Sequence, residues 1–209
     1  MSTEKPAGPV VEDASSEPET PLTPLPRRRI AVVAVIAVLV FGLDLLTKTL
    51  AVANLEGREP IRVLGGAVYL QLVRNGGAAF SIGTGMTWVL ALVAIAVVVL
   101  LIWLARRLRS TGWAIGLGLV LAGALGNLAD RIFRAPGVLH GHVVDFVSLF
   151  EPDGRAWPVF NLADSAICAG GVLIVLLSLL GRDYDGTRGR GKKAAKAKAT
   201  ETTETEAAA

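Results

Sequence analysis

Four aspartates stand out because each lies beside or within long apolar stretches of the sequence: Asp44, Asp130, Asp145 and Asp164. Two carboxyl groups that share one site resist ionising together, so one stays protonated as an acid while the other acts as a base. Such a pair can activate a water molecule and protonate a leaving amine. The carboxylates therefore make hydrolysis by an aspartate pair the leading chemical hypothesis.

Other chemistries are less well supported. Cys168 lies in an apolar run with no histidine expected nearby, and a serine nucleophile (Ser81 or Ser165) needs a base within hydrogen-bond distance. The chain has only two histidines, and both lie on one separate segment. With Asp145 they could form a metal site, but carboxylates and amides dominate the polar positions. We therefore expect no metal and no other cofactor, and the histidines concerned are His140 and His142.

The elements that carry these residues are predicted to be membrane-spanning. Hydrophobic residues make up 52% of the chain and charged residues 19%, with a mean hydropathy of +0.54, whereas soluble domains are about 25% charged. A bilayer core of about 30 Å requires roughly 20 apolar residues in a helix. Four segments satisfy this requirement, so the sequence predicts an all-α membrane protein with four transmembrane helices, near 30–52, 86–105, 112–133 and 160–181.

Polar stretches flank this apolar core. Residues 1–29 are rich in Pro, Glu, Ser and Thr, and residues 182–209 in Lys, Ala, Thr and Glu. Neither stretch can bury enough apolar area to offset its ordering entropy. We predict a disordered tail over 1–29, a membrane domain over 30–181 and a disordered basic tail over 182–209. The net charge of +3 averages these parts, and we expect no nucleic-acid partner.

Basic residues predict the orientation of the spans. They precede the first helix, fill the turn between the second and third, and follow the fourth. With four spans these flanks fall on one side of the membrane, which the positive-inside rule identifies as the cytoplasm. Both termini are then cytoplasmic and the outer side holds residues 53–85 and 134–159. The basic residues concerned are Arg27, Arg28, Arg29, Arg106, Arg107, Arg109, Arg182, Arg188, Arg190, Lys192 and Lys193.

Polar and ionisable side chains are costly at membrane depth and usually functional. In this sequence each such group falls at the outer end of its helix. Asp44 and Lys48 lie near the end of the first, a second cluster ends the third, and a further pair begins the fourth. We therefore predict one membrane-embedded site near the outer surface. The later clusters are Asn127, Asp130 and Arg131, then Asn161 and Asp164.

Five polar or glycine-containing segments follow one another along the chain: Leu43–Lys48, Asn75–Ser81, Gly123–Arg131, Gly141–Phe146 and Phe160–Ser165. In this order they resemble the motifs of the lipoprotein signal peptidases, also called signal peptidase II, which are bacterial aspartic intramembrane proteases. The resemblance covers about 30–181 and departs from the family's Asp-Gln-x-Thr-Lys motif at Leu45. It implies that the catalytic pair is Asp145 and Asp164.

The resemblance implies a function. The substrate is a prolipoprotein whose cysteine already carries a diacylglyceryl group, and the enzyme cleaves the peptide bond before that cysteine to release the signal peptide. The implied enzyme uses no cofactor, requires no oligomer and contacts membrane lipids. It lies in the cytoplasmic (inner) membrane.

The remaining polar residues receive supporting roles. Six are assigned to substrate binding or to support of the site: Asn75, Gly77, Gly123, Asn127, Arg131 and Asn161. A structural polar cluster is assigned to Asp44, Lys48 and Asp130, in which the first two tie helix one to the outer segment.

Asp130 is a rival for the catalytic pair, because residues 127–130 and 161–164 both read Asn-Leu-Ala-Asp. It is followed by Arg131, and a carboxylate beside a guanidinium remains ionised. Asp145 is surrounded by apolar residues instead, which favours an acid that shares a proton. We therefore assign the pair to Asp145 and Asp164.

The outer segments have different predicted structures. Residues 61–72 alternate apolar and polar side chains as a β-strand does, and they resemble the small sheet that the family lays on the membrane surface. Residues 134–159 contain Pro-Gly and Pro-Asp-Gly and are predicted to form a flexible lid.

Two other functions remain open. A proton- or ion-coupled transporter would use intramembrane aspartate and lysine as a relay, but polar groups are absent from the inner half of every predicted helix. A structural membrane subunit would use the polar cluster only to bind a partner. Cleavage of a lipidated peptide by the purified protein separates both from a peptidase.

Overall fold

The protein is built around four long helices. The computed structural model describes residues 28–77 and 86–186. All four helices are long and apolar enough to cross a membrane, which confirms the predicted spans. Residues 1–27 and 187–209, which make up most of the expected tails over 1–29 and 182–209, lie outside the described residues, as does the segment 78–85 with Ser81. The helices are α1 (Ile30–Leu55), α2 (Thr87–Ala105), α3 (Thr111–Phe133) and α4 (Leu162–Leu179).

Helix α1 is longer than the sequence predicted, since it continues to Leu55 rather than ending near residue 52. No glycine or proline follows Gly42 until Gly57, where φ is +70° and the chain leaves the helix. The 26 residues of α1 have a length of about 39 Å at 1.5 Å per residue. The helix is therefore longer than a bilayer core of about 30 Å.

Helix α3 is the centre of the bundle and packs against the other three helices. In its most apolar window 56% of the residues are buried, against 17–22% in the other helices. Two glycines permit this packing. A Cβ atom on Gly123 would overlap the Ala163 carbonyl oxygen at the start of α4, and one on Gly126 would overlap the Asp44 carboxylate of α1. Side chains that approach α3 this closely can form a shared polar site inside the bundle.

A three-stranded antiparallel sheet lies beside the polar ends of the helices. Its strands are β1 (Ile61–Val63), β2 (Val68–Asn75) and β3 (Val143–Leu149), in that order. The first two strands come from the segment in which the sequence predicted a sheet. They are joined by a turn in which Gly65 and Gly66 have φ of 68° and 102°, values that glycine adopts without steric cost.

The third strand corrects the prediction of a flexible lid over 134–159, because residues 143–149 form a regular strand that pairs with β2. Asn75 of β2 pairs with Val143 of β3, and the first three residues of β3 are at most 3% exposed. The run Val-Val-Asp-Phe-Val carries the β-branched signal of a strand. Residues 152–154 are also held, since the Asp153 N–H donates to Gln71 Oε1 at 3.1 Å.

The opposite end of the bundle brings the three basic flanks together. The Arg29 N–H donates to the Leu108 carbonyl at 2.9 Å, and the Arg109 N–H donates to the Tyr184 carbonyl at 2.9 Å. The Trp113 indole N–H donates to the Arg182 carbonyl at 2.7 Å. Ordered contacts thus continue past the boundary predicted at residue 181, through the first residues of the basic tail.

Candidate active site

Asp145 and Asp164 line the same cavity, which has a volume of about 600 Å³. Asp145 lies in β3 and Asp164 in the first turn of α4. The cavity therefore opens where the sheet meets the bundle, with polar groups from four elements and an apolar wall. Its lining residues are Asn75, Gly77, Asn127, Arg131, Val143, Asp145, Leu149, Trp157, Pro158, Val159, Phe160, Asp164, Ser165, Ile167 and Cys168.

Asn161 connects the two carboxyl groups. It is the N-cap of α4: its side chain accepts from the Asp164 N–H at 3.0 Å, and the Asp164 carboxylate accepts from the Asn161 N–H at 3.1 Å. This reciprocal capping box satisfies backbone donors that a helix N-terminus leaves free. The Asn161 amide nitrogen also donates to Asp145 Oδ1 at 2.7 Å. One fully buried residue thereby fixes both aspartates.

Asp145 is held on its other side by Asn75. The Asn75 amide nitrogen donates to Asp145 Oδ2 at 3.0 Å, and its Oδ1 accepts from the Gly77 N–H at 2.9 Å. Asp145 is only 2% exposed. Burial, and next the charge of Asp164, raise the pKa of Asp145 to about 7, although the donors from Asn75 and Asn161 lower it. Asp145 is thus poised to exchange a proton near neutral pH.

Asp164 is held by Asn127 of α3. The Asn127 amide nitrogen donates to Asp164 Oδ1 at 2.7 Å, so each oxygen of Asp164 accepts one N–H group. A carboxylate in the first turn of a helix is also favoured by the helix dipole. Both oxygens of Asp164 are therefore held by donors, one from α3 and one from the start of α4.

Behind the cavity lies a buried ionic cluster. The Lys48 ammonium pairs with Asp44 at 2.8 Å and with Asp130 at 2.9 Å, and Asp44 accepts from the Ala163 N–H at 2.9 Å. Asp44 and Lys48 therefore connect α1 to α3 and α4, which corrects the expectation that they tie helix one to the outer segment. That expectation failed because the sequence does not reveal partners more than 75 residues away.

The surroundings of Asp130 also correct the sequence argument. Its carboxylate pairs with Lys48 and Arg134 and accepts from the Val144 N–H at 3.1 Å, rather than pairing with the adjacent Arg131. Asp130 does not line the cavity. Arg134 was not among the predicted site residues, although its i,i+4 spacing from Asp130 favours an ion pair.

Arg131 faces the cavity instead. Its guanidinium donates to the Gly77 carbonyl at 3.0 Å and to the Asn127 carbonyl at 3.2 Å. Its Nε is buried and has no hydrogen-bond partner among the described residues. Gly123 lies outside the cavity lining and contributes through the close packing of α3 on α4. An unsatisfied buried donor beside the cavity can be satisfied by a ligand carbonyl.

The remaining candidates lie around the site or away from it. Cys168 and Ser165 line the cavity, and the Ser165 hydroxyl donates to the Asn161 carbonyl at 3.0 Å. His140 contacts the Val138 carbonyl, and no metal-binding cluster occurs within residues 28–77 and 86–186. Trp157, which was not among the predicted site residues, forms part of the cavity wall.

Comparison with known proteins gives a consistent result. A family model described as "Signal peptidase (SPase) II" matches residues 36–180. The chain is 55% identical over 177 residues to a lipoprotein signal peptidase of Rhodococcus jostii, covering 85% of each chain. It is 50% identical over 194 residues to that of Mycolicibacterium smegmatis, covering 92% of this chain and 79% of the relative.

Solved structures show the same fold. Two structures described as a bacterial membrane enzyme solved by the in meso method, at 2.3 and 1.9 Å, align with a TM-score of 0.63. They share 27% and 28% sequence identity with this chain. Each alignment covers 75% of this chain, and the two alignments cover 93% and 98% of the respective solved chains.

Proposed function

This chain belongs to the signal peptidase II family, and from that premise we propose that it is an aspartic endopeptidase that removes the signal peptide from diacylglyceryl-modified prolipoproteins. Cleavage occurs before the lipidated cysteine. One observation carries the aspartic mechanism: Asp145 and Asp164 line one cavity and are joined through Asn161.

The two carboxyl groups have different roles, one as a base and the other as an acid. Asp164 is the base that takes a proton from water, because the α4 N-terminus favours its carboxylate. Asp145 is the acid, because its raised pKa keeps it protonated up to about pH 7. The water oxygen bonds to the scissile carbonyl carbon while Asp145 protonates the carbonyl oxygen. The proton on Asp164 then passes to the leaving nitrogen, the C–N bond breaks, and Asp145 recovers its proton from the diol intermediate.

Substrate recognition follows from the two kinds of cavity wall. The unsatisfied Nε of Arg131 is suited to a carbonyl of an extended substrate backbone. Ile167 and Cys168 belong to α4 and form part of the apolar wall, which suits a lipid-bearing residue that enters from the bilayer. Water and these side chains suffice for the proposed reaction, so we assign no cofactor and no partner subunit.

The function is tested with the purified protein in detergent and two forms of one precursor, with and without the diacylglyceryl group. We expect the lipidated precursor to be cleaved before its cysteine and the unmodified precursor to be cleaved at least tenfold more slowly. Gel mobility gives the rate, and mass spectrometry gives the new N-terminus. Binding of the lipidated precursor without cleavage would favour a structural subunit instead.

We also propose that both termini are cytoplasmic and that the protein lies in the cytoplasmic membrane with the sheet outside. The three basic flanks lie together at one end of the bundle, and such flanks remain in the cytoplasm. The domain covers about 30–181, with the tails dispensable for activity. A reporter fused to the C-terminus is expected to be active only in the cytoplasm, and activity only outside would reverse the orientation.

A further inference from the structure

Lys48 is the most completely buried cation among the described residues, yet it does not line the cavity. Its side chain is 0% exposed, and its ammonium has three partners: Asp44 Oδ2 at 2.8 Å, Asp130 Oδ2 at 2.9 Å and Asn127 Oδ1 at 3.1 Å. A lysine ammonium has three donors and no acceptor. Two carboxylates therefore pair with its charge, and one of its donors is directed at a residue of the proposed active site.

The contact with Asn127 decides which way its amide group faces. Asn127 Oδ1 accepts from Lys48 and also from the Asn161 amide nitrogen at 3.2 Å. Its Nδ2 then faces Asp164 and donates at 2.7 Å. A rotation of the amide by 180° would place its NH₂ against an ammonium and its oxygen against a carboxylate. Both contacts would become repulsive, because neither partner can reverse its hydrogen-bonding role.

We propose that Lys48 is a positioning residue for catalysis: it locks the Asn127 amide in the orientation that donates to Asp164. The inference rests on the proposed function, because it concerns the group assigned as the base. Asp130 of α3 pairs with the ammonium, and Arg134 pairs with Asp130 from the other side. Through Lys48, these contacts transmit a fixed geometry to the cavity in addition to joining α1 to α3.

The test compares Lys48→Met with Asp44→Asn. Both break the same buried ion pair, but only Lys48→Met removes the donor to Asn127. For the folded fraction of Lys48→Met we expect kcat to fall roughly 10- to 100-fold, the effect of one hydrogen bond to a charged group, with KM for the lipidated precursor nearly unchanged. Asp44→Asn is expected to lower thermal stability while kcat stays within about threefold of the wild type.

A double-mutant cycle separates positioning from a general structural effect. Asn127→Ala removes the amide that Lys48 orients, so adding Lys48→Met to it should not lower kcat further. If Lys48→Met does not accumulate, it is combined with Asp44→Asn, which removes the carboxylate that Lys48→Met leaves unpaired. This double variant is expected to show the same loss of kcat.

Unchanged kcat in Lys48→Met, or losses that multiply in the double variant with Asn127→Ala, would overturn the positioning role. Failure of the proposed function is recognised separately, because the wild type and Asp44→Asn would then not cleave the lipidated precursor at all.

Discussion

Replacing Asp145 or Asp164 by asparagine is expected to lower cleavage of a lipidated precursor by about 1000-fold or more. General acid and base catalysis each contribute about 10²- to 10⁴-fold, and asparagine can neither take nor give the required proton. Its shape is nearly that of aspartate, so the cavity is retained. Each variant should accumulate in the membrane and bind the precursor, as measured by co-purification, while the gel assay shows no product.

Asp130→Asn is the matched comparison, because Asp130 ends the first Asn-Leu-Ala-Asp segment, residues 127–130, but lies outside the cavity. It pairs with Lys48 and Arg134, and breaking a buried ion pair costs about 3–5 kcal/mol. We expect less folded protein and a lower melting temperature, with measurable turnover in each folded molecule. If Asp130→Asn is well folded but inactive while Asp145→Asn is active, Asp130 is the catalytic residue instead of Asp145.

Cleavage is expected to decrease as the pH rises above about 7, because the proposed acid Asp145 then loses its proton. Its pKa is raised to about 7 by burial and by the charge of Asp164. Because its pKa is raised, Asp145 stays protonated up to about pH 7, so kcat/KM should be high below this pH. Above it, kcat/KM should fall about tenfold for each pH unit. The measurement is the pH profile of kcat/KM on one lipidated precursor.

Asn75→Ala tests whether Asp145 is the group whose ionisation lowers kcat/KM above about pH 7, the alkaline limb of the profile. The Asn75 amide stabilises the ionised form of Asp145, so its removal raises the pKa of Asp145 further. The alkaline limb should shift upward by about one pH unit, given about 1.5 kcal/mol for a hydrogen bond to a charged group. Ser165→Ala, at a cavity residue bonded to the Asn161 carbonyl, should leave the limb in place. A downward shift in Asn75→Ala would contradict the assignment of Asp145.

The sequence predicted best where the signal is local. Apolar length identified four helices, and polar residues at their outer ends indicated where a site would form. The two identical Asn-Leu-Ala-Asp segments have roles that local sequence cannot distinguish. Asn161 caps α4 because the chain before it is extended, whereas Asn127 lies within α3 and uses its side chain across the bundle. The same four residues therefore act differently, and only the tertiary structure distinguishes them.

The parts that the sequence analysis missed depend on distant partners. Strand β3 exists because β2 pairs with it across about 70 residues, and Lys48 reaches Asn127 across 79. A single sequence gives residue types at such positions but not their pairing. Likewise, nothing in the local sequence indicates that residues 157–160 line the cavity.

The division of the site between β3 and α4 has a consequence for biosynthesis. Asp145 is made before Asn161 and Asp164, and the ribosome must complete α4 before those two residues can be inserted beside α3. A nascent chain with only three helices in the membrane has one carboxyl group of the proposed pair and lacks the asparagine that connects the two. Under the proposed mechanism, proteolytic competence therefore begins only when the fourth helix enters the bilayer, and half-assembled chains cannot cleave neighbouring precursors.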